Sequence, residues 1–96
     1  MSPAASDHHR RQEENVRLGR DLAERLAAGA AKIASTLEEL AAVHESLSRV
    51  AGHPLAAEAA ARAARERRIA ARERAAAVWF CSIADGSYHP GSGPAN

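Results

Sequence analysis

Large apolar residues recur along the first half of the chain at intervals of three, four and seven positions. This spacing places them on one side of an α-helix, because three to four residues make one turn. No proline interrupts residues 7–50. The pattern therefore predicts one long amphipathic helix over about residues 7–50, carried by Leu22, Leu26, Ile33, Leu37, Leu40 and Leu47.

A heptad pattern assigns two core positions to this helix. One is occupied by Leu26, Ile33, Leu40 and Leu47, and the other by Ala30, Leu37, His44 and Ala51. A single polar residue such as His44 at a core position usually sets helix register or oligomeric state. A pH-sensitive role is the alternative, because an apolar site opposes protonation of the ring.

The clearest break in the pattern is Ala51-Gly52-His53-Pro54. Glycine favours the left-handed end of a helix, and proline favours the first turn of the next one. This break predicts a turn at residues 51–53 and a second helix over about residues 54–83, rich in the strong helix formers Ala, Arg and Glu. Residues 1–6 are predicted to be disordered and residues 84–96, which contain Pro and Gly, to form a flexible tail.

So short a connection makes the two helices antiparallel neighbours, and the predicted fold is an all-α two-helix hairpin. Residues equidistant from Gly52 should face one another, which predicts an ion pair between Lys32 and Glu73. The first helix is longer than the second, so its N-terminal part, about 14 residues, should extend past the hairpin.

The predicted core is thin, because Ala supplies 25 of the 96 residues while Phe, Trp, Tyr and Met occur once each. Helix 1 also carries a side row of apolar residues: Leu18, Val43 and Val50. One hairpin of this size rarely buries enough apolar area to fold alone. We therefore expect a homodimer, most simply a four-helix bundle that covers this row, with a marginally stable monomer as the alternative.

The formal charge of +1 does not by itself require a nucleic-acid or membrane partner. Locally, however, helix 2 carries a row of arginines with an aromatic residue at its far end: Arg62, Arg65, Arg68, Arg72 and Trp79. Guanidinium groups near an aromatic ring suit phosphate, nucleic acid or acidic side chains. These residues are the predicted ligand-binding or partner-binding site, and a solvated charged face is the alternative interpretation.

Motifs that would indicate catalysis are missing from the sequence. Glu66 and Glu73 lack the Glu-x-x-His spacing of helical di-iron sites, and a structural ion pair explains them as well. The chain also has no phosphate-binding loop and no dinucleotide fingerprint. We therefore predict no catalytic residues, no metal site and no cofactor.

The sequence is most typical of a non-enzymatic interaction module with a regulatory or scaffolding role, which binds itself and another protein. An anion binder that takes nucleic acid or a phosphorylated ligand is the alternative. Cys81 is the single cysteine, so no internal disulfide forms. The N-terminus lacks the apolar run of a secretory signal, which favours a cytoplasmic protein without a membrane partner.

Overall fold

The computed structural model describes residues 3–88, and within them the chain forms two helices, α1 (Pro3–Ser48) and α2 (Ala56–Asp85). Residues 49–55 connect the helices, which pack side by side as the predicted antiparallel hairpin. The molecule measures 78 × 22 × 15 Å, so it is a flat layer one helix thick. Neither helix holds an apolar run long enough to cross a bilayer, as far as residues 3–88 are concerned.

The observed helices differ from the predicted ones at their ends. Helix α1 begins at Pro3, so residues 3–6 are helical rather than disordered. Proline suits this end because the first N–H groups of a helix have no partner inside it. Helix α2 begins at Ala56 and continues to Asp85. Of the predicted tail and N-terminus, residues 89–96 and 1–2 lie outside the described residues.

Both ends of α2 are closed by local hydrogen bonds. At its start, the Leu55 N–H donates to Nδ1 of His53 and the Ala56 N–H to the His53 carbonyl, both at 3.1 Å, while no side chain caps the helix itself. At its end, Gly86 takes the left-handed conformation with φ of 80°. The Gly86 N–H donates to the Ile83 carbonyl at 3.3 Å, as is typical of a glycine-based helix end, and the Tyr88 N–H donates to the Ser82 carbonyl at 2.9 Å.

The core of the hairpin consists of alanine. In residues 3–88 the buried apolar residues are Ala23, Ala27, Ala30, Ala34, Ala41, Ala59, Ala63 and Ala70. The first predicted core position is therefore wrong: Leu26, Ile33 and Leu40 are 41–49% exposed, and Leu47 is half-buried. At the second predicted position Ala30 is buried, Leu37 and His44 are half-buried, and Ala51 is exposed.

The physical reason for this difference is a rotation of α1 by roughly 50° about its axis, which moves one core row by one residue and keeps Ala30, Leu37 and His44 facing α2. Ala27, Ala34 and Ala41 each follow a predicted core residue by one position, and they take its place. Small side chains on both helices allow the axes to approach to the lower end of the usual distance of about 8–10 Å. A leucine in the same position would hold the helices apart.

The first part of α1 extends beyond the hairpin. Residues 3–21, here called the overhang, are exposed apart from a half-buried Ser6. Ion pairs one turn apart lie along it, including His9 with Glu13 at 2.9 Å and Arg10 with Asp7. Such pairs support a helix by a few tenths of a kcal/mol each.

Candidate functional site

One broad side of the hairpin is polar and bridged by ion pairs between the helices. Glu38 and Glu45 each stand four residues after a buried alanine of α1, and they point to the same side. Arg74 donates to both Glu38 carboxylate oxygens, at 2.5 and 3.2 Å, and to the Ser35 hydroxyl. Arg67 binds both oxygens of Glu45 at 2.6 and 3.1 Å. We call this side the polar face.

The arginines of the polar face keep their partners ionised. Hydrogen bonds from Arg74 and Arg67 lower the pKa of Glu38 and of Glu45, respectively, below the ordinary range of a glutamate. A carboxyl group whose pKa is lowered by folding stabilises the fold above its unfolded pKa, and this contribution is lost as the pH falls through the folded pKa. Both glutamates are therefore ionised at neutral pH, and each is already bound by an arginine of α2.

The opposite side is apolar and open. Leu26, Ile33 and Leu40 each precede a buried alanine by one residue, which directs them away from the polar face. Leu55, directly before α2, and Ile69 and Ile83 of α2 share the same side at fourteen-residue intervals, with Arg62 and Ala76 at the positions between them. We define the apolar face as Leu22, Leu26, Ile33, Leu40, Val43, Leu47, Val50, Leu55, Ile69 and Ile83. Sequence reasoning placed Leu26, Ile33 and Leu40 in the core and so missed them as surface residues.

The predicted side row divides between two places in the structure. Val43 and Val50 are 63% and 49% exposed and lie on the outer edge of the apolar face, in the same row as Leu22. Leu18 is also exposed, but it stands in the overhang, in a row continued by Arg25 and Lys32 on the back of α1. It is therefore separate from the apolar face.

A polar pair lies between the helices near the turn. Nδ1 of His44 is 2.7 Å from a carboxylate oxygen of Glu66, and the two side chains are only 19% and 13% exposed. The polar residue predicted in the seam thus has a partner in the opposite helix. The predicted Lys32–Glu73 pair does not form. Lys32 lies midway between Ala30 and Ala34, so its side chain points away from α2.

The arginines of the predicted binding row have different surroundings. Arg62 is paired with Glu58 at 2.8 Å, one turn earlier. In contrast, Arg65, Arg68 and Arg72 are exposed, and no residue among 3–88 pairs with their side chains. Three guanidinium groups are thus available on one side of α2.

Trp79, at the end of this row, belongs to an aromatic cluster instead of standing free. Its ring lies 5.1 Å from Phe80 and 5.9 Å from Tyr88, centroid to centroid, with Tyr88 edge-on. Its Nε1–H is buried and has no acceptor within residues 3–88. Apolar contacts therefore hold the half-buried ring in place, because the unmet donor works against burial.

The concave features of the surface are shallow. A depression of about 80 Å³ lies at the turn end of the apolar face, lined by His44, Leu47, Leu55, Glu58, Ala59 and Arg62. An open groove of about 520 Å³ near Cys81 is lined mainly by alanines, with Glu24 and Asp85 at its edge. In the described part of the chain, no three His, Cys, Asp or Glu side chains converge to hold a metal ion.

Comparison with family models, with curated proteins and with solved structures finds no match to this chain. The interpretation of its function therefore rests on the two faces, the His44–Glu66 pair and the unpaired arginines.

Proposed function

We propose that this chain is a non-enzymatic helical interaction module that binds a protein partner through the apolar face, in a regulatory or scaffolding role. The observation that carries the proposal is that the small apolar residues are buried while several large ones are exposed, the reverse of an ordinary protein core. Only alanines are buried in residues 3–88, while Leu26, Ile33 and Leu40 are 41–49% exposed along one side.

Burial of the apolar face would supply the stability that the alanine core lacks. An alanine contributes about one methyl group, worth about 0.8 kcal/mol, whereas a large aliphatic side chain contributes about 1.5–3 kcal/mol when fully buried. Covering the exposed half of Ile33 or Leu40 would therefore add about 1 kcal/mol for each residue. A row of such residues rimmed by polar ones is typical of a binding surface.

The ion pairs of the polar face indicate on which side of the hairpin a partner binds. Arg74 and Arg67 are already bound to Glu38 and Glu45 on that side, so a partner gains little there. The apolar face has no such pairs along its α1 residues. A partner is therefore expected on one side of the layer only, and the cytoplasmic location of this interaction stays a prediction.

Ile33→Glu tests the proposal by placing a charge in the middle of the apolar face. We expect the associated species to weaken by at least about tenfold, because an unpaired carboxylate would be buried in the contact. The measurement is molar mass by light scattering over a dilution series, compared with the 10.1 kDa of one chain.

The matched control is Ala42→Glu, which adds the same charge to α1 at an exposed position away from the apolar face. It should leave both mass and melting temperature unchanged. A monomeric chain that melts cooperatively, and at the same temperature in both variants, would contradict the proposal.

A second candidate function is anion binding by the arginine row, and the unpaired state of Arg65, Arg68 and Arg72 favours it. Like charges three and four residues apart repel one another by a few tenths of a kcal/mol, and a bound anion would relieve this repulsion. Nucleic acid and phosphorylated ligands both offer suitable oxygens.

Arg65→Ala combined with Arg68→Ala is expected to weaken binding of a fluorescent single-stranded oligonucleotide by about tenfold at low salt. Binding by the original chain should also fall steeply between 50 and 200 mM salt, because phosphate contacts release counterions. Arg25→Ala serves as the control, because it removes an exposed arginine of α1 that has no partner within residues 3–88. Fluorescence anisotropy measures both effects, and equal losses in all variants would reject the arginine row as a site.

A further inference from the structure

Building on the proposed function, we infer that the occupant of the apolar face is a second copy of this chain. In the resulting four-helix bundle, α1 of each copy lies over α2 of its partner. The two-fold axis runs parallel to the helices, so both turns lie at the same end. Three features of the structure support this arrangement: the size of the apolar face, its limits along α1, and the charges beside it.

The apolar face has the area that a stable dimer needs. Helix α2 has 30 residues, or about 45 Å of length. The hairpin is 22 Å wide, so one side of it offers on the order of 1,000 Å². A standard protein interface buries about 800 Å² on each partner. A second hairpin of the same length would cover the whole face, whereas a single helix would cover about half of its width.

The limits of the apolar face also match a second hairpin. Its rows on α1 end at Leu22, close to the point where α1 leaves α2. Toward the N-terminus, the row of Leu26 continues with Gly19 and Gln12, and the row of Leu22 continues with Asn15. None of these residues has a large apolar side chain. The dimer contact is therefore confined to the hairpin, and the two overhangs project freely from the end opposite the turns.

Charges beside the apolar face select the orientation. If α2 lay over the partner's α2, the unpaired row of Arg65, Arg68 and Arg72 would meet the same row of the partner. If α1 lies over the partner's α2 instead, this row passes Val43 and Val50 at the outer edge of α1 and faces the next row on the back of α1, which contains Arg25, Lys32 and Glu39; Glu39 is exposed and has no partner within residues 3–88. At the height of Arg72 this row carries the opposite charge of Glu39, whereas its cations Arg25 and Lys32 lie nearer the overhang.

The stagger of the existing ion pairs predicts which residues meet. Within one hairpin, Glu38 pairs with Arg74 across the two antiparallel helices. Rotation about a two-fold axis parallel to the helices does not move a residue along that axis. Residues of α1 and α2 that are level within one hairpin are therefore also level between α1 and the partner's α2. Glu39 follows Glu38 by one position and Arg72 precedes Arg74 by two. Glu39 of one copy is therefore level with Arg72 of the other.

Distances between the two turns test the orientation. The full chain is prepared with Cys81→Ser and Ala51→Cys, both at exposed positions, and Cys at position 51 carries a nitroxide spin label. With both turns at one end, pulsed electron resonance should give a distance of about 15–30 Å, since neighbouring helix axes lie about 8–10 Å apart. With the turns at opposite ends, the labels would be about 45 Å or more apart.

Charge exchange tests the contact itself. Glu39→Arg is expected to raise the dimer dissociation constant by about threefold, and adding Arg72→Glu should restore it, because the pair is re-formed with reversed charges. Arg25→Glu, in the same row of α1, should not be rescued by Arg72→Glu. Equilibrium sedimentation measures all four proteins.

Each result is decisive for the arrangement. A short label distance with rescue of Glu39→Arg supports it. A long distance in a stable dimer would overturn the orientation and leave the interaction module standing. A chain of 10.1 kDa at every concentration would overturn the second copy as the occupant. In that case, a melting temperature that responds to Ile33→Glu and not to Ala42→Glu would still support the proposed function.

Discussion

Ala34→Leu is expected to lower the free energy of unfolding by about 2–3 kcal/mol, because the seam has no room for a larger side chain. Ala34 is 0% exposed, and its methyl group lies where the two helices approach each other. Leucine adds three carbon atoms, so the helices must separate or the side chain must leave its preferred rotamer. A loss of this size should lower the melting temperature by about 10 °C or more in a chain of this length.

Ala42→Leu is the control for this prediction. It makes the same substitution in the same helix, eight residues later, at an exposed position. Since Ala and Leu are both strong helix formers, the stability should change by no more than about 0.5 kcal/mol. Thermal unfolding followed by circular dichroism, at one protein concentration, measures both variants. Equal stability of the Ala34→Leu and Ala42→Leu proteins would mean that the helices are not closely packed.

His44→Leu is expected to destabilise the hairpin by about 1–3 kcal/mol, because it leaves the Glu66 carboxylate without its partner between the helices. Glu66 is only 13% exposed, so water replaces the lost contact incompletely. The double variant His44→Leu with Glu66→Leu should recover most of the loss, since apolar residues often replace a buried polar pair without penalty. Urea unfolding of the two single variants and the double variant gives the coupling energy.

The exposed Glu58–Arg62 pair provides the comparison. Both of its side chains are 55% exposed, so Glu58→Ala should change the stability by less than about 1 kcal/mol. If the effects of His44→Leu and Glu66→Leu were simply additive, His44 and Glu66 would not act as a pair. The packing of the helices near the turn would then depend on the alanines alone.

Much of the candidate site could be anticipated from spacing. The seven-residue interval of Val43 and Val50 predicted an exposed apolar row beside the seam, and the arginine spacing predicted a shared side of α2. The sequence could not distinguish the arginines that are paired from those that are free. Arg67 and Arg74 are bound by glutamates of α1, 22 and 36 residues away in the chain, and only the packed hairpin brings them together.

A signal for the alanine seam was also present, although the leucines obscured it. Ala56, Ala63, Ala70, Ala77 and Ala84 repeat every seven residues along α2. Such a repeat allows close approach of a second small-residue row, and Ala27, Ala34 and Ala41 supply that row on α1. Matching the two rows would have placed Ile33 and Leu40 on the surface before the structure was known.

Two long helices, the glycine-containing turn between them and their antiparallel arrangement could all be predicted from the order of the residues. These features follow from local propensities, from the apolar period and from the shortness of the connection. The side of α1 that meets α2 became known only from the packed hairpin. Rows of leucine and of alanine both have the helical period, and the choice depends on how closely the two backbones can approach, which is a property of both helices together.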